Sequence, residues 1–206
     1  RTPISAKLVA ERLQVAGAHR VLSLDLHAGQ IQGFFDIPVD NLYASPALIP
    51  EVVKVVAGRP AVVVSPDAGG VLRARAYAKM LEAPLAIIDK RRDRPNEIAE
   101  MQVIGDVADR VAVIVDDLVD TAGTLCRAAQ AVIDAGANAV LAVASHGVLS
   151  GPAIGRIDES VLECLIISDS IPLTDAAAKC SKIRVVTLAP LLGEAVRRIH
   201  TGDSVS

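Results

Sequence analysis

Short apolar runs rich in Val, Ile and Leu alternate along the chain with longer stretches in which apolar residues recur every three or four positions. The first pattern is typical of buried strands and the second of amphipathic helices. The runs predict strands at residues 20–26, 61–65, 84–89, 111–115, 138–145, 161–168 and 182–188. The periodic stretches predict helices at residues 68–81, 125–135, 152–157 and 189–199, whereas residues 98–109 show no clear period and are expected to form a connection. Strands separated by helices favour an α/β fold, with a largely parallel sheet flanked by helices.

Two further helices are indicated by their end signals. Thr2 suits an N-cap, Pro3 suits the first helical position, and Gly17 follows the last apolar position of the first of them. The second helix opens at Ser45, and Pro50 falls inside it, where a proline kinks or restarts a helix.

Length and composition agree with this class of fold. The chain has 206 residues, of which 51% are hydrophobic and only 2% aromatic, so its core is expected to consist of Ala, Val, Leu and Ile. That length allows one large or two small domains. Residues 21–29 loosely resemble residues 61–70, since each is a strand ending in an acid and small residues, which allows two related lobes with a boundary near residues 43–46.

Charge and cysteine usage limit the classes of partner. A net charge of −3 argues against binding to nucleic acid, and no apolar run approaches membrane-spanning length. The three cysteines are far apart and form no CxxC pair, which fits a reduced, cytoplasmic protein. Because the chain begins at Arg1 and not at Met, we expect that further residues precede it in the natural protein.

The most informative segment is the apolar run that ends at Asp116 and Asp117 and is followed by the small residues of 120–124. Ligands of open α/β sheets bind at the carboxyl ends of strands, where two carboxylates can accept hydrogen bonds from sugar hydroxyls or hold a divalent metal ion. The small residues let backbone N–H groups close on an anion at the start of the next helix. The structural alternative is an acidic turn in which Asp120 or Thr121 is only the helix N-cap.

Two other strand ends carry candidate ligands. Asp67 lies in the turn Ser-Pro-Asp-Ala-Gly-Gly at 65–70, where glycines allow a ligand to approach the backbone; its alternative role is to cap the next helix. His27 follows a strand and precedes Gly29 and Gly33, so it suits either a metal or phosphate contact or a structural hydrogen bond.

A cluster of cations, Lys90, Arg91, Arg92 and Arg94, follows the predicted strand 84–89. Such a run is normally a solvated loop. Because this one begins at the carboxyl end of a strand, it can also close over a polyphosphate and stabilise charge on a transferred group.

The segments DLHAGQIQGFF (25–35), SPDAGG (65–70), IIDKRRDRPNE (87–97) and VDDLVDTAGT (115–124) resemble, in order and spacing, those of the ribose-phosphate pyrophosphokinase family. The last segment also resembles the phosphoribosyl-pyrophosphate motif of the type I phosphoribosyltransferase fold. The resemblance implies a phosphoribosyltransferase-like fold in a two-lobed protein whose N-terminal region is largely absent here. Residues 1–45 would then end the N-terminal domain, residues 46–188 would form the C-terminal domain with the ribose-phosphate site, and residues 189–206 would form a closing helix and tail.

The resemblance further implies transfer of the diphosphoryl group of ATP to the 1-hydroxyl of ribose 5-phosphate, with Mg²⁺ required. Lys90 and Arg92 would be the catalytic cations, and His27 and Asp67 the metal ligands. The ribose 5-phosphate site would comprise Arg92, Asp116, Asp117, Asp120, Thr121, Ala122, Gly123 and Thr124. Asp25, Asp36 and Asp40 fall in an older metal-binding signature of the family.

Family members assemble as dimers built into hexamers, so a homo-oligomer is expected. Two alternatives remain: a phosphoribosyltransferase, which should carry a hood over its base, and a non-catalytic synthetase-associated regulatory subunit, which should lack the catalytic loop. Since the segment before Arg1 contributes to ATP binding in the family, this segment alone is expected to bind ribose 5-phosphate but to turn over poorly.

Overall fold

The computed structural model describes residues 4–91 and 100–205, and of residues 90, 91 and 100 it describes the backbone. The chain divides into two compact units. The first comprises Arg1–Ala44 together with Pro190–Ser206, and the second comprises Ser45–Ala189.

The first unit contains a short parallel pair of strands and helical segments. It is made of helix α1 (Ser5–Val15), strand β1 (Val21–Leu24), a 3-10 helix (Gly29–Phe34), strand β2 (Val39–Leu42) and most of the closing helix Ala189–Thr201. The two strands pair in parallel from Val21 opposite Val39 to Leu24 opposite Leu42. Helix α1 starts at Ser5 after Ile4, and the predicted caps Thr2 and Pro3 lie outside the described residues.

In the described part of the chain, the second unit is built on a seven-stranded sheet. Its strands are β3 (Ala61–Ser65), β4 (Leu85–Arg91), β5 (Glu100–Ile104), β6 (Val111–Val119), β7 (Ala139–Gly147), β8 (Leu162–Ser168) and β9 (Ile183–Val186). Their order is β5-β4-β3-β6-β7-β8-β9, with all neighbours parallel except β4 and β5. The predicted parallel α/β sheet flanked by helices is therefore confirmed.

Along the chain, helices lie before, between and after the strands of this sheet. They are α2 (Ser45–Val56), α3 (Val71–Met80), α4 (Gly123–Asp134), α5 (Ala153–Glu159), α6 (Asp175–Lys179) and α7 (Ala189–Thr201). Helices α3, α4, α5 and α6 connect strands of this sheet, whereas α2 precedes it and α7 follows it, mostly in the first unit. Helix α2 continues without interruption through Pro50. None of the helices in the described ranges combines the length and apolar character needed to cross a membrane.

Three predictions of secondary structure were wrong. The segment 98–109 contains the edge strand β5, which pairs antiparallel with β4. Strand β6 does not end at Val115 but runs on through both acids to Val119, because β7 continues beside it as far as Gly147. Strand β4 extends to Arg91, so Lys90 and Arg91 lie within the strand and not in the loop after it.

The core of the second unit consists of aliphatic side chains from the central strands and the helices packed on them. Val62, Val64, Ala112, Ile114 and Leu165 are fully buried within it. Strands covered on both faces need such continuous apolar runs, which is why the sequence signal for β3, β6, β7 and β8 was strong.

The order of the strands determines where a ligand can bind. The chain passes from β3 to β4 on one side and from β6 to β7 on the other, so the order reverses between β3 and β6. In open α/β sheets, the crevice outside the carboxyl ends of strands at such a reversal is the usual ligand site. The turns after Ser65 and Val119 both lie at this position.

Candidate functional site

Asp116 and Asp117 lie inside β6, near its carboxyl end, and have different surroundings. The side chain of Asp117 is buried, whereas Asp116 is partly exposed. Arg73 from α3 reaches Asp117, with Nη1 3.4 Å from Oδ1. Arg73 was not singled out from the sequence, since nothing in the pattern of α3 distinguishes it from the neighbouring Arg75.

The carboxyl group of Asp116 is partly buried and lies close to two other carboxyl groups. Burial is the largest cause that raises the pKa of Asp116, to about 7, and the adjacent carboxyl groups of Asp117 and then Asp67 raise it further. Two carboxylates close to a third, partly buried one favour its protonated form. Carboxylate oxygens are the ligand type that Mg²⁺ prefers, but these three side chains are not arranged as a metal site within the described residues.

The turn after β6 exposes a row of unpaired backbone donors. Within residues 4–91 and 100–205, the N–H groups of residues 120–125 meet no hydrogen-bond acceptor. Ala122 has φ of +58°, and α4 begins at the next residue. We call these six N–H groups the nest. Successive backbone N–H groups at a helix N-terminus form an anion-binding concavity, because the helix dipole adds positive potential there.

Neither predicted capping residue caps α4 with its side chain. The N-cap is Ala122, and no side chain accepts a hydrogen bond from the first turn of the helix. The structural alternative for Asp120 and Thr121 is therefore wrong. A helix that begins without a side-chain cap leaves its first N–H groups for water or a ligand.

The turn after β3 is closely folded around Asp67. Ser65 Oγ donates to the Asp67 carbonyl at 2.7 Å, and Asp67 Oδ1 accepts from Gly70 N at 3.0 Å. Helix α3 then begins at Val71. Asp67 is therefore not the predicted cap, because Gly70 is the N-cap and no side chain caps the helix. Asp67 instead stabilises the turn, and its charge also reaches Asp116.

A cavity of about 430 Å³ opens beside this turn. Its walls combine the aliphatic side chains of Ile87 and Ile104 with the carboxylates of Asp67 and Asp89. Asp89 follows the apolar residues of β4 as Asp116 follows those of β6, a parallel in the sequence that could have identified it.

The predicted cations are only partly located. Lys90 lies in β4, where its backbone is opposite Met101 of β5. Arg92 and Arg94 lie outside the described residues. Residues 92–99 join β4 to β5 in the sequence, so Lys90 belongs to a strand that leads into this segment.

His27 belongs to the first unit and is exposed, between β1 and the 3-10 helix. Nearby acids have structural partners: Asp25 Oδ2 accepts from Ala44 N at 2.9 Å, and Asp40 Oδ2 lies 2.6 Å from Arg20 Nε. Among the residues that the structure describes, no group of three or more His, Cys, Asp or Glu side chains is arranged to hold a metal ion.

Fold and site together define an α/β protein in which a turn of backbone N–H groups at a helix start lies beside an acidic strand end, where the strand order of a parallel sheet reverses. Residues 92–206 match the family model described as phosphoribosyl synthetase-associated domain. The chain belongs to this family.

Two relatives that match the whole chain carry the same name. The chain is 58% identical over 206 residues to a ribose-phosphate pyrophosphokinase of Bordetella pertussis, and 56% identical to one of Neisseria meningitidis. It covers 66% and 63% of these proteins, which is less than two thirds of their length. A crystal structure of phosphoribosylpyrophosphate synthetase from Mycobacterium smegmatis matches 98% of the chain and is itself covered to 65%, with a TM-score of 0.90 and 39% identity.

Proposed function

We propose that the chain is part of a ribose-phosphate diphosphokinase, which transfers the diphosphoryl group of ATP to the 1-hydroxyl of ribose 5-phosphate and yields phosphoribosyl pyrophosphate and AMP. The observation that carries this proposal is the nest, whose six N–H groups meet no acceptor within residues 4–91 and 100–205 and lie shortly after the acids of β6. A sugar phosphate has the matching chemistry, since its phosphate suits the N–H groups and its hydroxyls suit the carboxylates. The names of the relatives support the same reaction.

In this assignment, Asp120, Thr121, Ala122, Gly123 and Thr124 hold the 5-phosphate. Asp116 and Asp117 are assigned to the ribose hydroxyls. Asp117 would make this contact while it remains paired with Arg73. The sugar is thereby held from its phosphate end, which orients the 1-hydroxyl for attack. Such orientation is a large part of what an enzyme contributes to phosphoryl transfer.

The transfer itself is an in-line displacement at the β-phosphorus of ATP. The bond from the sugar O1 to the β-phosphorus forms, the bond to the bridging oxygen of AMP breaks, and the hydroxyl proton is lost. No protein nucleophile takes part, and the main work of the protein is positioning and charge stabilisation. Lys90 and Arg92 are assigned to stabilise the charge on the transferred group.

We assign Asp67 of the second unit and His27 of the first unit, each considered separately, as contacts of Mg²⁺. When bound, Mg²⁺ neutralises the charge of the polyphosphate. Asp67 remains fixed by its bond to Gly70 N, so its carboxylate keeps a defined direction.

The complete protein is proposed to be a cytoplasmic homo-oligomer, dimers built into a hexamer, in keeping with the family resemblance. The chain spans less than two thirds of the length of its relatives. We propose that this segment by itself binds ribose 5-phosphate but converts it to product slowly.

The test is AMP release by the full-length protein with ATP, Mg²⁺ and ribose 5-phosphate. Replacing Lys90 by Ala should lower kcat by about 100-fold, as is typical for loss of one group that stabilises the transition state. Lys79→Ala, an exposed position on α3, is the matched control and should retain full activity. Equal activity of the Lys90 variant and the unaltered protein would contradict the assigned role, and no AMP from the unaltered protein would favour the regulatory subunit.

A further inference from the structure

We propose that Arg156 is a positioning residue for the sugar phosphate, because it fixes the direction in which the nest donates. The proposal rests on the proposed phosphate site but not on diphosphoryl transfer. Arg156 lies on α5, 35 residues from Thr121 in the sequence, and Arg156 Nη1 donates to the Thr121 carbonyl at 2.9 Å.

One segment, residues 149–156, donates hydrogen bonds to three consecutive carbonyls at the end of β6 and in the turn after it. We call this segment the strap. Leu149 N donates to the Val119 carbonyl at 3.0 Å, and Ser150 N donates to the Asp120 carbonyl at 3.0 Å. Arg156 holds the third carbonyl, that of Thr121. The side chain of Ser150 also donates to Asp120 Oδ1.

These bonds determine where the N–H groups point. A peptide group is planar and trans, so its C=O and N–H point in opposite directions. When the strap holds the carbonyls of residues 119, 120 and 121, the N–H groups of residues 120, 121 and 122 must point away from the strap. Those are the first three donors of the nest, and they are unpaired within the described residues.

The loop needs such support because its backbone is strained. Ala122 has φ of +58°, and Leu149 in the strap has φ of +52°. A left-handed conformation costs a non-glycine residue about 1 kcal/mol or more. Ala122 is the residue that follows the carbonyl held by Arg156, so the side chain of Arg156 acts on the peptide next to the strained residue.

The surroundings of Arg156 are electrostatically unfavourable for a cation. Its Nη1 lies 3.1 Å from the position that a Cβ on Gly123 would occupy, at the positive end of α4. Within residues 4–91 and 100–205, no carboxylate lies within 4.0 Å of it. A cation at a helix N-terminus is unfavourable unless an anion is also bound there. The hydrogen bond to the Thr121 carbonyl is the contact that offsets this cost.

The two donors from Leu149 and Ser150 are backbone groups and survive any side-chain substitution. The Arg156 bond depends on one side chain, which makes the role testable. Glutamine is the informative replacement, since its amide can donate to the Thr121 carbonyl but carries no charge.

The test measures binding of ribose 5-phosphate to the 206-residue chain by calorimetry, without ATP. Arg156→Met should weaken binding about tenfold, about 1.4 kcal/mol, and Arg156→Gln less than threefold. Arg127→Ala on α4 removes the same charge but holds no loop carbonyl, and should bind like the unaltered chain. The amide resonance of Ala122 should lose its phosphate-induced shift in Arg156→Met and keep it in Arg156→Gln.

Equal weakening in Arg156→Gln and Arg156→Met would show that only charge matters and would overturn the proposal, as would unchanged binding in both. Should Arg156→Met fail to fold, Arg156→Gln and Arg156→Lys remain, and tenfold weakening in both overturns it. If the chain binds the sugar phosphate as expected but the full-length protein releases no AMP, only the proposed function fails.

Discussion

Arg73 on α3 and Asp117 on β6 form an ion pair, with Nη1 3.4 Å from Oδ1. The pair joins the helix after the Asp67 turn to the strand before the nest, so the two halves of the candidate site are connected through buried charge. The Asp117 side chain is 6% exposed and that of Arg73 is 22% exposed. Removal of one partner from such a pair leaves a charge buried without compensation.

Arg73→Met should therefore lower the free energy of unfolding by about 2 kcal/mol, because the buried Asp117 carboxylate loses the charge of Arg73. Urea unfolding at pH 7 measures this. Arg75→Met, an exposed position on the same helix, is the control and should change stability by less than about 0.5 kcal/mol. The double variant Arg73→Met, Asp117→Asn should recover part of the loss, and additivity of the two single changes would refute the coupling.

The contribution of Asp116 to the stability of the chain should fall as pH rises from about 4 to about 7. Its pKa is raised from 3.8 to about 7, mainly by burial. A group whose pKa is raised on folding stabilises the folded state below its unfolded pKa, and that contribution is lost as pH rises through the folded pKa.

Asp116→Asn should remove this dependence. At pH 8 the variant should be more stable than the unaltered chain by on the order of 2 kcal/mol, relative to the difference at pH 5. Denaturant unfolding at the two pH values measures the effect. The same variant should bind ribose 5-phosphate less well, and a parallel pH dependence in both proteins would exclude Asp116 as its source.

Gly70→Ala should destabilise the turn around Asp67, whereas Gly69→Ala should be tolerated. A Cβ on Gly70 would lie 3.0 Å from Ser65 Oγ, and one on Gly69 would lie 3.4 Å from Asp67 Oδ1. Because Ser65 is buried and bonded to the Asp67 carbonyl, it cannot move without loss of that bond.

The expected loss for Gly70→Ala is about 1–2 kcal/mol, from overpacking and a weakened hydrogen bond. Thermal unfolding of both glycine variants measures it. The combination Gly70→Ala, Ser65→Ala should relieve the close contact, and an equal loss in the Gly69 variant would show that flexibility of the turn, and not its packing, is what matters.

Most strands could be predicted because the sheet is covered on both faces. The runs at β3 and β6 have no polar alternation, and continuous Val and Ile at that length favour a buried strand. Strand β5 was not predicted because it lies at the edge of the sheet. Gln102 and Ile104, on either side of Val103, are exposed, so the apolar signal of the strand is weak. Strand β2 was not predicted either, because its sequence Val-Asp-Asn-Leu is short and half polar.

The location of the site could also be predicted, since carboxyl strand ends meet at one edge of a parallel sheet. The contacts that hold its residues in place could not be predicted. Arg73 and Asp117 are 44 positions apart, and Arg156 and Thr121 are 35 positions apart. No local pattern relates residues at such distances, because the relation arises only when α3 and α5 pack on the sheet. The end of β6 was misplaced for the same reason, since β7 determines how far it continues.

The central claim is that the N–H groups of residues 120–125 bind a phosphate monoester, and amide chemical shifts measured by NMR test it most directly. Titration of the ¹⁵N-labelled chain with ribose 5-phosphate should shift these six amides, and ribose at the same concentration should leave them unchanged. Shifts confined to other residues, with these six amides unmoved by the phosphate ester, would contradict the account.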